Sequence, residues 1–381
     1  MLSDKAPLPA TAQYGFIPGL DGLRAISVLI VIIAHMGFKH IVPGGFGVTV
    51  FFFISGFLIT RLLIAEHEAK ARIKLKDFYI RRFVRLYPAL LFMVFATTAT
   101  YLLIGWGGPK LLEFLAAVFY GTNIYQVNVR IGGELPFMPW THLWSLAVEE
   151  HFYLMFPLLL VLLRGNWVRV WWALICVIGG ALLWRTVLYY LTDFNPVDYS
   201  YMMTDTRLDS IAWGCLLSVS LHLLGSAERL RRLIGAVPIV LSLGVILSSF
   251  VIRDDAFRYT LRFTLQGAAL LVLFLNLYFY RPVRFAFPIL EYRPLAWTGM
   301  VSYALYLWHV PLIDAAIRLG GDNWTSRIVA VAASFAMAAI SFYYVEKPFM
   351  VLRKRFGAHI VKRGGTATLN TDAPIKAAPE R

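Results

Sequence analysis

The stretch GFGVTVFFFISGFLITRLLIA, residues 45–65, decides the fold class. Its only charged side chain is Arg61, and about 20 apolar residues are enough for a helix to cross a lipid bilayer. Further apolar segments of similar length lie at residues 20–38, 86–106, 142–163, 168–190, 207–225, 233–251, 261–280, 296–317 and 326–346. The sequence therefore predicts an all-α, polytopic membrane bundle of about ten transmembrane helices.

The composition favours the same class. Of the 381 residues, 59% are hydrophobic and 15% are charged, whereas a soluble domain carries about 25% charged residues. A free soluble enzyme is excluded, because so apolar a chain has too few polar side chains to cover its surface in water. Cys176 and Cys215 both lie in apolar segments, so the sequence predicts neither a disulfide framework nor a zinc site.

The net charge of +14 comes from 36 Lys and Arg against 22 Asp and Glu. In a soluble protein this excess would suggest nucleic acid, but in a membrane protein it is typical of cytoplasmic loops. We therefore expect no nucleic-acid partner. Seven Lys and Arg between residues 70 and 85 place that loop in the cytoplasm. With ten spans, both termini are then expected to be cytoplasmic.

The chain divides into three parts. Residues 1–15 are expected to form an N-terminal cytoplasmic segment, residues 16–350 the membrane domain, and residues 351–381 a basic, disordered cytoplasmic tail without apolar periodicity. The first apolar segment is not followed by a signal-peptide cleavage site, so we expect it to be retained as a span. Segment 111–121 is apolar but too short to span, which favours a re-entrant or interfacial helix.

Charged side chains inside apolar spans are costly and mark functional sites. Arg24 and His35 are eleven residues apart, which is about three helical turns, so both are expected on one helix face about 16 Å apart. An arginine and a histidine so placed suit an anion clamp and a general base, because the unperturbed pKa of histidine lies near neutrality. The alternative is that each side chain reaches the nearer membrane interface.

Arg81 and Arg82 lie four and three residues before Arg85 on a predicted helix, which gathers the three guanidinium groups. Such a cluster suits bidentate phosphate binding. The alternatives are a determinant of topology or a contact with lipid headgroups. The glycines between residues 44 and 56 favour close helix packing.

His142, Ser145 and Glu149 follow at i, i+3 and i+7 and are expected on one helix face, with Glu150 adjacent. Such polar groups at the mouth of an apolar span favour chemistry, and the alternative is an ion pair with an intramembrane arginine. The serine lacks the G-x-S-x-G context of a hydrolase nucleophile. The spacing is not that of a zinc-binding HExxH helix either, so no metal is expected.

Two further pairs are candidate substrate contacts. Arg207 and Asp209 lie near the outer end of the sixth span, where the alternative is a structural ion pair. Tyr306 and His309 lie at i, i+3 in the ninth span. The aromatic side chains of this span could stack against a sugar ring, and the alternative is an interfacial aromatic belt.

Seven segments occur in this order: LDGLRAISVLIVIIAHMG, GGFGVTVFFFISGFLITRLL, FYIRRFVRLYPAL, HLWSLAVEEHFYLMFP, TRLDSIAWG, SYALYLWHVPL and YYVEKPF. Together they resemble acyltransferase family 3, the O-antigen acetylase-like membrane proteins, over residues 16–350. The resemblance implies transfer of an acyl group, usually acetyl, from cytoplasmic acyl-CoA. The implied acceptor is a hydroxyl of an extracytoplasmic carbohydrate, such as a surface polysaccharide or lipopolysaccharide O-antigen. The implied location is the bacterial cytoplasmic (inner) membrane.

The resemblance also implies roles for single residues. The arginine–histidine motif of the family falls on Arg24 and His35, its double glutamate on Glu149 and Glu150, and its arginine-rich loop on residues 81–85. We expect His35 to act as general base on the acceptor hydroxyl, oriented by one of the two glutamates as in a catalytic triad. A covalent acyl-histidine relay is left open. The chain resembles the stand-alone type without a C-terminal hydrolase-like domain, so a periplasmic or glycan-assembly partner would be a separate protein.

The rival class is a transporter or flippase of a glycan or lipid intermediate, because intramembrane Arg, Glu and His also suit a substrate pathway. Transporters often contain paired repeats, and the sequence shows none. A structural partner in an envelope complex is a third class. The number of polar side chains inside the predicted spans argues against it.

Overall fold

The computed structural model describes residues 17–38, 40–192, 196–225 and 227–353. These residues form helices joined by turns, with no β-strand among them, which confirms the all-α bundle. The last helix runs to Arg353, so the predicted disordered tail does not begin at residue 351. Residues 1–16 and 354–381 lie outside the described residues.

The α-helices in chain order are α1 (Leu20–Ile33), α2 (Gly44–Lys70), α3 (Leu75–Ile104), α4 (Leu111–Val118), α5 (Thr122–Ile131), α6 (Trp144–Leu162), α7 (Trp167–Leu191), α8 (Pro196–Met202), α9 (Thr204–Leu224), α10 (Ala236–Val251), α11 (Asp255–Tyr259), α12 (Leu261–Phe279), α13 (Ala286–Leu290), α14 (Arg293–Met300), α15 (Ser302–Gly320), α16 (Trp324–Ile340) and α17 (Lys347–Arg353). Short 3-10 turns lie at Thr141–Leu143, Ala227–Leu233 and Arg281–Phe285. Two π-helical turns, Ala34–Phe38 and Ser341–Glu346, continue α1 and α16.

Each of the ten predicted spans contains a helix. Within the described residues, seven helical segments are long and apolar enough to cross a membrane, or eight if α14 and α15, bent by 74°, form one broken span. The other two predicted spans differ for separate reasons. Helix α10 has only 16 residues, and a crossing takes about 20. Helix α9 has Asp205, Arg207 and Asp209 near its start, which lower its mean hydropathy.

Helix α2 packs closely against α9. A Cβ atom on Gly56 would overlap the carbonyl oxygen of Ile211, and one on Gly214 of α9 would overlap that of Phe53. Small residues at such contacts let two helix backbones approach each other. The predicted packing role of the α2 glycines is therefore confirmed at Gly56.

The first span is not a straight α-helix as far as His35. The π-helical turn Ala34–Phe38 contains His35, and Gly37 has a φ of 107°, a conformation that a side chain would strain. The guanidinium of Arg327, from α16, donates a hydrogen bond to the Met36 carbonyl and fills the space beside Gly37. A π-helical turn has i→i+5 hydrogen bonds and changes the facing of the residues in it. His35 therefore lies in a π-helical turn and not in a straight α-helix, and the common face of Arg24 and His35 stays a prediction.

Candidate active site

Two neighbouring cavities contain most of the predicted site residues. The arginine cavity has a volume of about 130 Å³, and its charged lining residues are Arg24, Arg82, Arg85, Glu149 and Glu150. The histidine cavity has a volume of about 620 Å³, and its lining residues include His35, His142, Thr141, Trp144 and Tyr201. Val48 and Tyr306 line both cavities. The two cavities therefore adjoin at these two side chains.

Arg82 binds the carboxylates of Glu149 and Glu150, one of which was predicted to orient His35. Its guanidinium donates to Glu150 at 2.8 and 3.0 Å and to Glu149 at 3.3 Å. It also lies 3.1 Å from the centre of the Tyr153 ring. Glu149 accepts further hydrogen bonds from the Tyr153 hydroxyl, at 2.7 Å, and from the Ser55 hydroxyl. Charges removed from water are tolerated when they are paired and hydrogen-bonded in this way.

The predicted orientation of His35 by Glu149 or Glu150 is therefore wrong. The hydrogen bonds of both carboxylates in the described structure are with Arg82, Ser55 and Tyr153 on the arginine-cavity side. The physical reason is charge pairing, since a buried carboxylate is stabilised far more by a guanidinium than by a neutral imidazole.

The predicted cluster of three guanidinium groups forms only in part. Arg81 pairs with Glu66 at 2.7 Å and is absent from the described lining of the arginine cavity. Successive helical residues point about 100° apart, so Arg81 and Arg82 cannot face the same side. Arg85, almost one turn after Arg82, does line the cavity. The cations facing the cavity are thus contributed by α1 and α3 together.

Three histidines from separate parts of the chain meet at the histidine cavity, and we call them the histidine cluster: His35, His142 and His309. His309 Nε2 lies 3.3 Å from His35 Nδ1. The ring centres of His142 and His309 are 5.0 Å apart. His142 and His309 are buried, whereas His35 is exposed to the cavity. A substrate in the cavity therefore reaches His35 first.

The hydrogen bonds of the cluster assign its neutral tautomers. His309 Nδ1 lies 2.6 Å from the Tyr306 carbonyl oxygen, and His35 Nδ1 lies 3.0 Å from that of Val31. A carbonyl only accepts, so both Nδ1 atoms carry the proton in the neutral rings. His309 Nε2 is then an acceptor toward His35, and His35 Nε2 keeps its lone pair. An imidazole nitrogen with a lone pair can act as a general base or as a nucleophile.

His142 presents a second unused nitrogen. Its Nε2 donates to the Leu307 carbonyl at 3.1 Å, and its Nδ1 is buried without a hydrogen-bond partner in the described part of the chain. A buried unpaired polar atom costs about 1–3 kcal/mol, and such atoms call for a functional or structural explanation. In that same part of the chain, no three His, Cys, Asp or Glu residues are arranged to hold a metal ion.

Ser145 and Tyr306 lie where the cavities adjoin. The Tyr306 hydroxyl donates to the His142 carbonyl at 2.9 Å and lies 2.6 Å from Ser145 Oγ. Tyr306 is buried, so it is not part of an interfacial aromatic belt. His142 lies in the 3-10 turn before α6 and lines the histidine cavity, whereas Ser145 and Glu149 line the arginine cavity. The three residues thus follow one another from the histidine cavity to the arginine cavity, and their common face stays a prediction.

Arg207 and Asp209 are both fully buried, and the described linings of the two cavities do not include them. Asp209 pairs with Arg185 at 2.7 Å. The Arg207 guanidinium lies 3.8 Å from the centre of the Phe263 ring. The structural alternative thus holds for Asp209, but with Arg185 as its partner. Sequence analysis missed Arg185, although an arginine deep inside an apolar span is a recognisable signal.

Several known proteins are similar to this chain. The family model described as an acyltransferase domain, Acyl_transf_3, matches residues 17–346. The peptidoglycan O-acetyltransferase OatA of Listeria monocytogenes is 34% identical over 365 residues, which cover 89% of this chain and 57% of that protein. The O-acetyltransferase OatA of Staphylococcus aureus is 31% identical, over 90% of this chain and 58% of that protein. The chain thus spans less than two thirds of the length of these relatives. No solved structure matches it.

Proposed function

The chain belongs to acyltransferase family 3, and we propose that it is a membrane-bound O-acyltransferase. Its donor is acyl-CoA, with acetyl-CoA as the first choice, and its acceptor is a carbohydrate hydroxyl on the other side of the membrane. The observation that carries the proposal is the contact of two unlike cavities at Val48 and Tyr306. A donor bound by cations on one side and an acceptor beside a base on the other can then react without either crossing the bilayer.

The arginine cavity suits the donor. The phosphates of CoA are anionic, and guanidinium groups bind phosphate through paired, charge-assisted hydrogen bonds. We propose that Arg24 and Arg85 bind these phosphates. Arg82 stabilises the wall of the cavity through its ion pairs with Glu149 and Glu150. The remaining lining of this cavity is largely apolar and aromatic, and it suits the pantetheine arm and the acyl group; its members include Phe51, Ile54, Leu58, Ile59 and Leu62.

The histidine cavity suits the acceptor and the chemistry. His35 Nε2 takes the proton from the acceptor hydroxyl while the hydroxyl oxygen bonds to the acyl carbon. The carbon–sulfur bond of the thioester then breaks, and the proton passes on to the CoA thiolate or to water. The Val31 carbonyl fixes the tautomer of His35, and His309 positions the ring, the two tasks that an acidic residue combines in a catalytic triad. The same lone pair also permits a two-step route through acyl-His35.

The charge distribution supports one orientation. The turn between α2 and α3 and the start of α3 carry the Lys and Arg residues that favour the cytoplasmic side, and Leu62 and Arg82 of the arginine cavity lie toward that end of the two helices. We therefore place the protein in the bacterial cytoplasmic membrane with the histidine cavity facing outward. The acceptor is proposed to be a cell-envelope glycan. Peptidoglycan is the first to test because one similar protein is named for it, followed by O-antigen and other surface polysaccharides.

The test compares envelope glycans and purified protein. We expect mass spectrometry to show acetyl groups on glycan from the wild-type strain and their loss in a deletion strain. We expect purified protein in liposomes to release CoA thiol from acetyl-CoA when glycan fragments are present. Unchanged glycan in the deletion strain, together with no acetyl-CoA turnover, would contradict the proposal and favour the transporter class. A separate partner that presents the glycan stays a prediction, which co-purification would test.

A further inference from the structure

The boundary between the two cavities lies at one level of the bundle. Along α2, Gly45 lines the histidine cavity, Val48 lines both cavities, and Phe51 lines the arginine cavity. These residues are spaced by three, which is almost one helical turn, so they follow one another down one helix face. Val48 thus marks the level at which the lining of α2 changes from one cavity to the other.

Two other helices change cavity at the same level. At the start of α6, Trp144 lines the histidine cavity and Ser145 lines the arginine cavity. On α15, Tyr303 lines the arginine cavity and Tyr306 lines both. We call the two shared side chains, Val48 and Tyr306, the partition. A group that moves directly from the arginine cavity into the histidine cavity passes these two side chains, because the cavities adjoin there.

The two members of the partition differ in how they are held. The Tyr306 hydroxyl is fixed by the His142 carbonyl and by Ser145 Oγ, at 2.9 and 2.6 Å. Val48 contributes only its methyl groups and is 6% exposed. Protein interiors are packed so closely that a change of one methylene group is felt by the neighbours. The size of residue 48 therefore sets the width of the partition, while Tyr306 provides a fixed opposite side.

We propose that Val48 determines the size of the acyl group that reaches the histidine cluster, so that acetyl passes and longer acyl groups are rejected. This inference rests on the proposed acyl transfer, because it concerns the route of the acyl group between the two cavities. An apolar site discriminates against one extra methylene by about tenfold or more. A valine beside a fixed aromatic ring can thus separate acetyl from propionyl and butyryl.

The experiment uses the purified full chain in liposomes with acetyl-CoA, propionyl-CoA or butyryl-CoA and soluble peptidoglycan fragments. Mass spectrometry of the glycan gives the ratio of propionyl to acetyl transfer, and thiol release gives the rate with each donor. The variants are Val48→Ala, which widens the partition, and Val48→Ile, which narrows it. The matched control is Val50→Ala, because Val50 lies on the same helix but packs with Phe53 and Leu270.

We expect Val48→Ala to raise the propionyl-to-acetyl ratio by about tenfold. We expect Val48→Ile to lower the rate of acetyl transfer and to lower the propionyl-to-acetyl ratio further, with KM for the donor unchanged. Val50→Ala should keep the wild-type ratio. Gel filtration in detergent shows which variants are folded. If Val48→Ala does not fold, the result with Val48→Ile alone tests the role of Val48.

Three outcomes would each be decisive. A wild-type ratio in folded Val48 variants, with acetyl transfer intact, would overturn the role of Val48 and leave the proposed function standing. Wild-type protein that transfers no acyl group from any of the three donors would contradict the proposed function, and the role of Val48 would fall with it. A ratio that changes equally in Val50→Ala would also overturn the assignment, since that change would not be specific to the partition.

Discussion

The charged groups of the arginine cavity differ from the histidine cluster of the neighbouring histidine cavity, which Arg130, Asp198 and Arg327 also line. In the first, one guanidinium is paired with two carboxylates through direct hydrogen bonds. In the second, three imidazoles contact backbone carbonyls and one another, and two of their nitrogens, on His35 and His142, have a lone pair without a described partner. Paired charged side chains stabilise the walls of a cavity and suit an ionic ligand. Neutral imidazoles with a free lone pair can accept a proton. The comparison supports the proposal that donor binding and proton transfer occupy separate compartments.

The largest effect should come from the histidine side. His35→Ala removes the exposed base, and general bases contribute about a hundredfold to ten-thousandfold to a rate. We expect acetyl transfer to fall by that factor, measured by thiol release and glycan mass spectrometry, while the protein stays in the membrane. The control is His222→Ala, because His222 pairs with Glu68 near the far end of α9. A His35→Ala protein with wild-type transfer would remove His35 from the chemistry.

On the side of the arginine cavity, the main expected effect of a substitution is a loss of stability. Arg82→Ala leaves Glu149 and Glu150 without their cation, and breaking a buried ion pair from one side costs about 3 kcal/mol. We expect the free energy of unfolding in detergent to fall by that amount, measured by denaturant titration. Lys110→Ala is the control, since the Lys110–Glu134 pair is largely exposed and exposed pairs contribute little. Equal midpoints for the two variants would show that the Arg82 network does not hold the fold.

A smaller effect should distinguish donor binding from chemistry. Arg85→Ala removes one charge-assisted contact with the CoA phosphates, which is worth about tenfold in affinity. We expect KM for acetyl-CoA to rise by about tenfold, and KM for acetyl-pantetheine, which lacks the CoA phosphates, to stay as in the wild type. An equal rise for both donors would mean that Arg85 does not bind phosphate.

The smallest effect should come from the place where the cavities adjoin. Ser145→Ala removes one of the two hydrogen bonds of the Tyr306 hydroxyl, a loss of about 1 kcal/mol. We expect acetyl transfer to fall only severalfold, because the bond to the His142 carbonyl remains. Complete loss of transfer in a folded variant would instead point to Ser145 as a nucleophile.

The helices could be predicted because runs of apolar residues are local signals in the sequence. The membership of the site was partly predictable as well, since charged and histidine side chains inside such runs stand out, as Arg24 and His35 do. The pairing of these residues was not predictable. Arg82 and Glu150 are 68 residues apart, His35 and His309 are 274 apart, and Arg327 reaches the π-helical turn across 291 residues. Such contacts depend on how the helices pack against one another. The spacing of residues along a single helix carries no information about that packing.

The partition at Val48 and Tyr306 also has an electrical consequence. Where water enters a membrane protein from both sides, the transmembrane voltage falls mainly across the thin layer between the two water-filled spaces. Moving one elementary charge through 100 mV takes about 2.3 kcal/mol. An acyl group is uncharged and crosses such a layer without electrical work, whereas the phosphates of CoA would have to move against or with the field. A layer at Val48 and Tyr306 can thus pass the neutral acyl group while the membrane stays insulated.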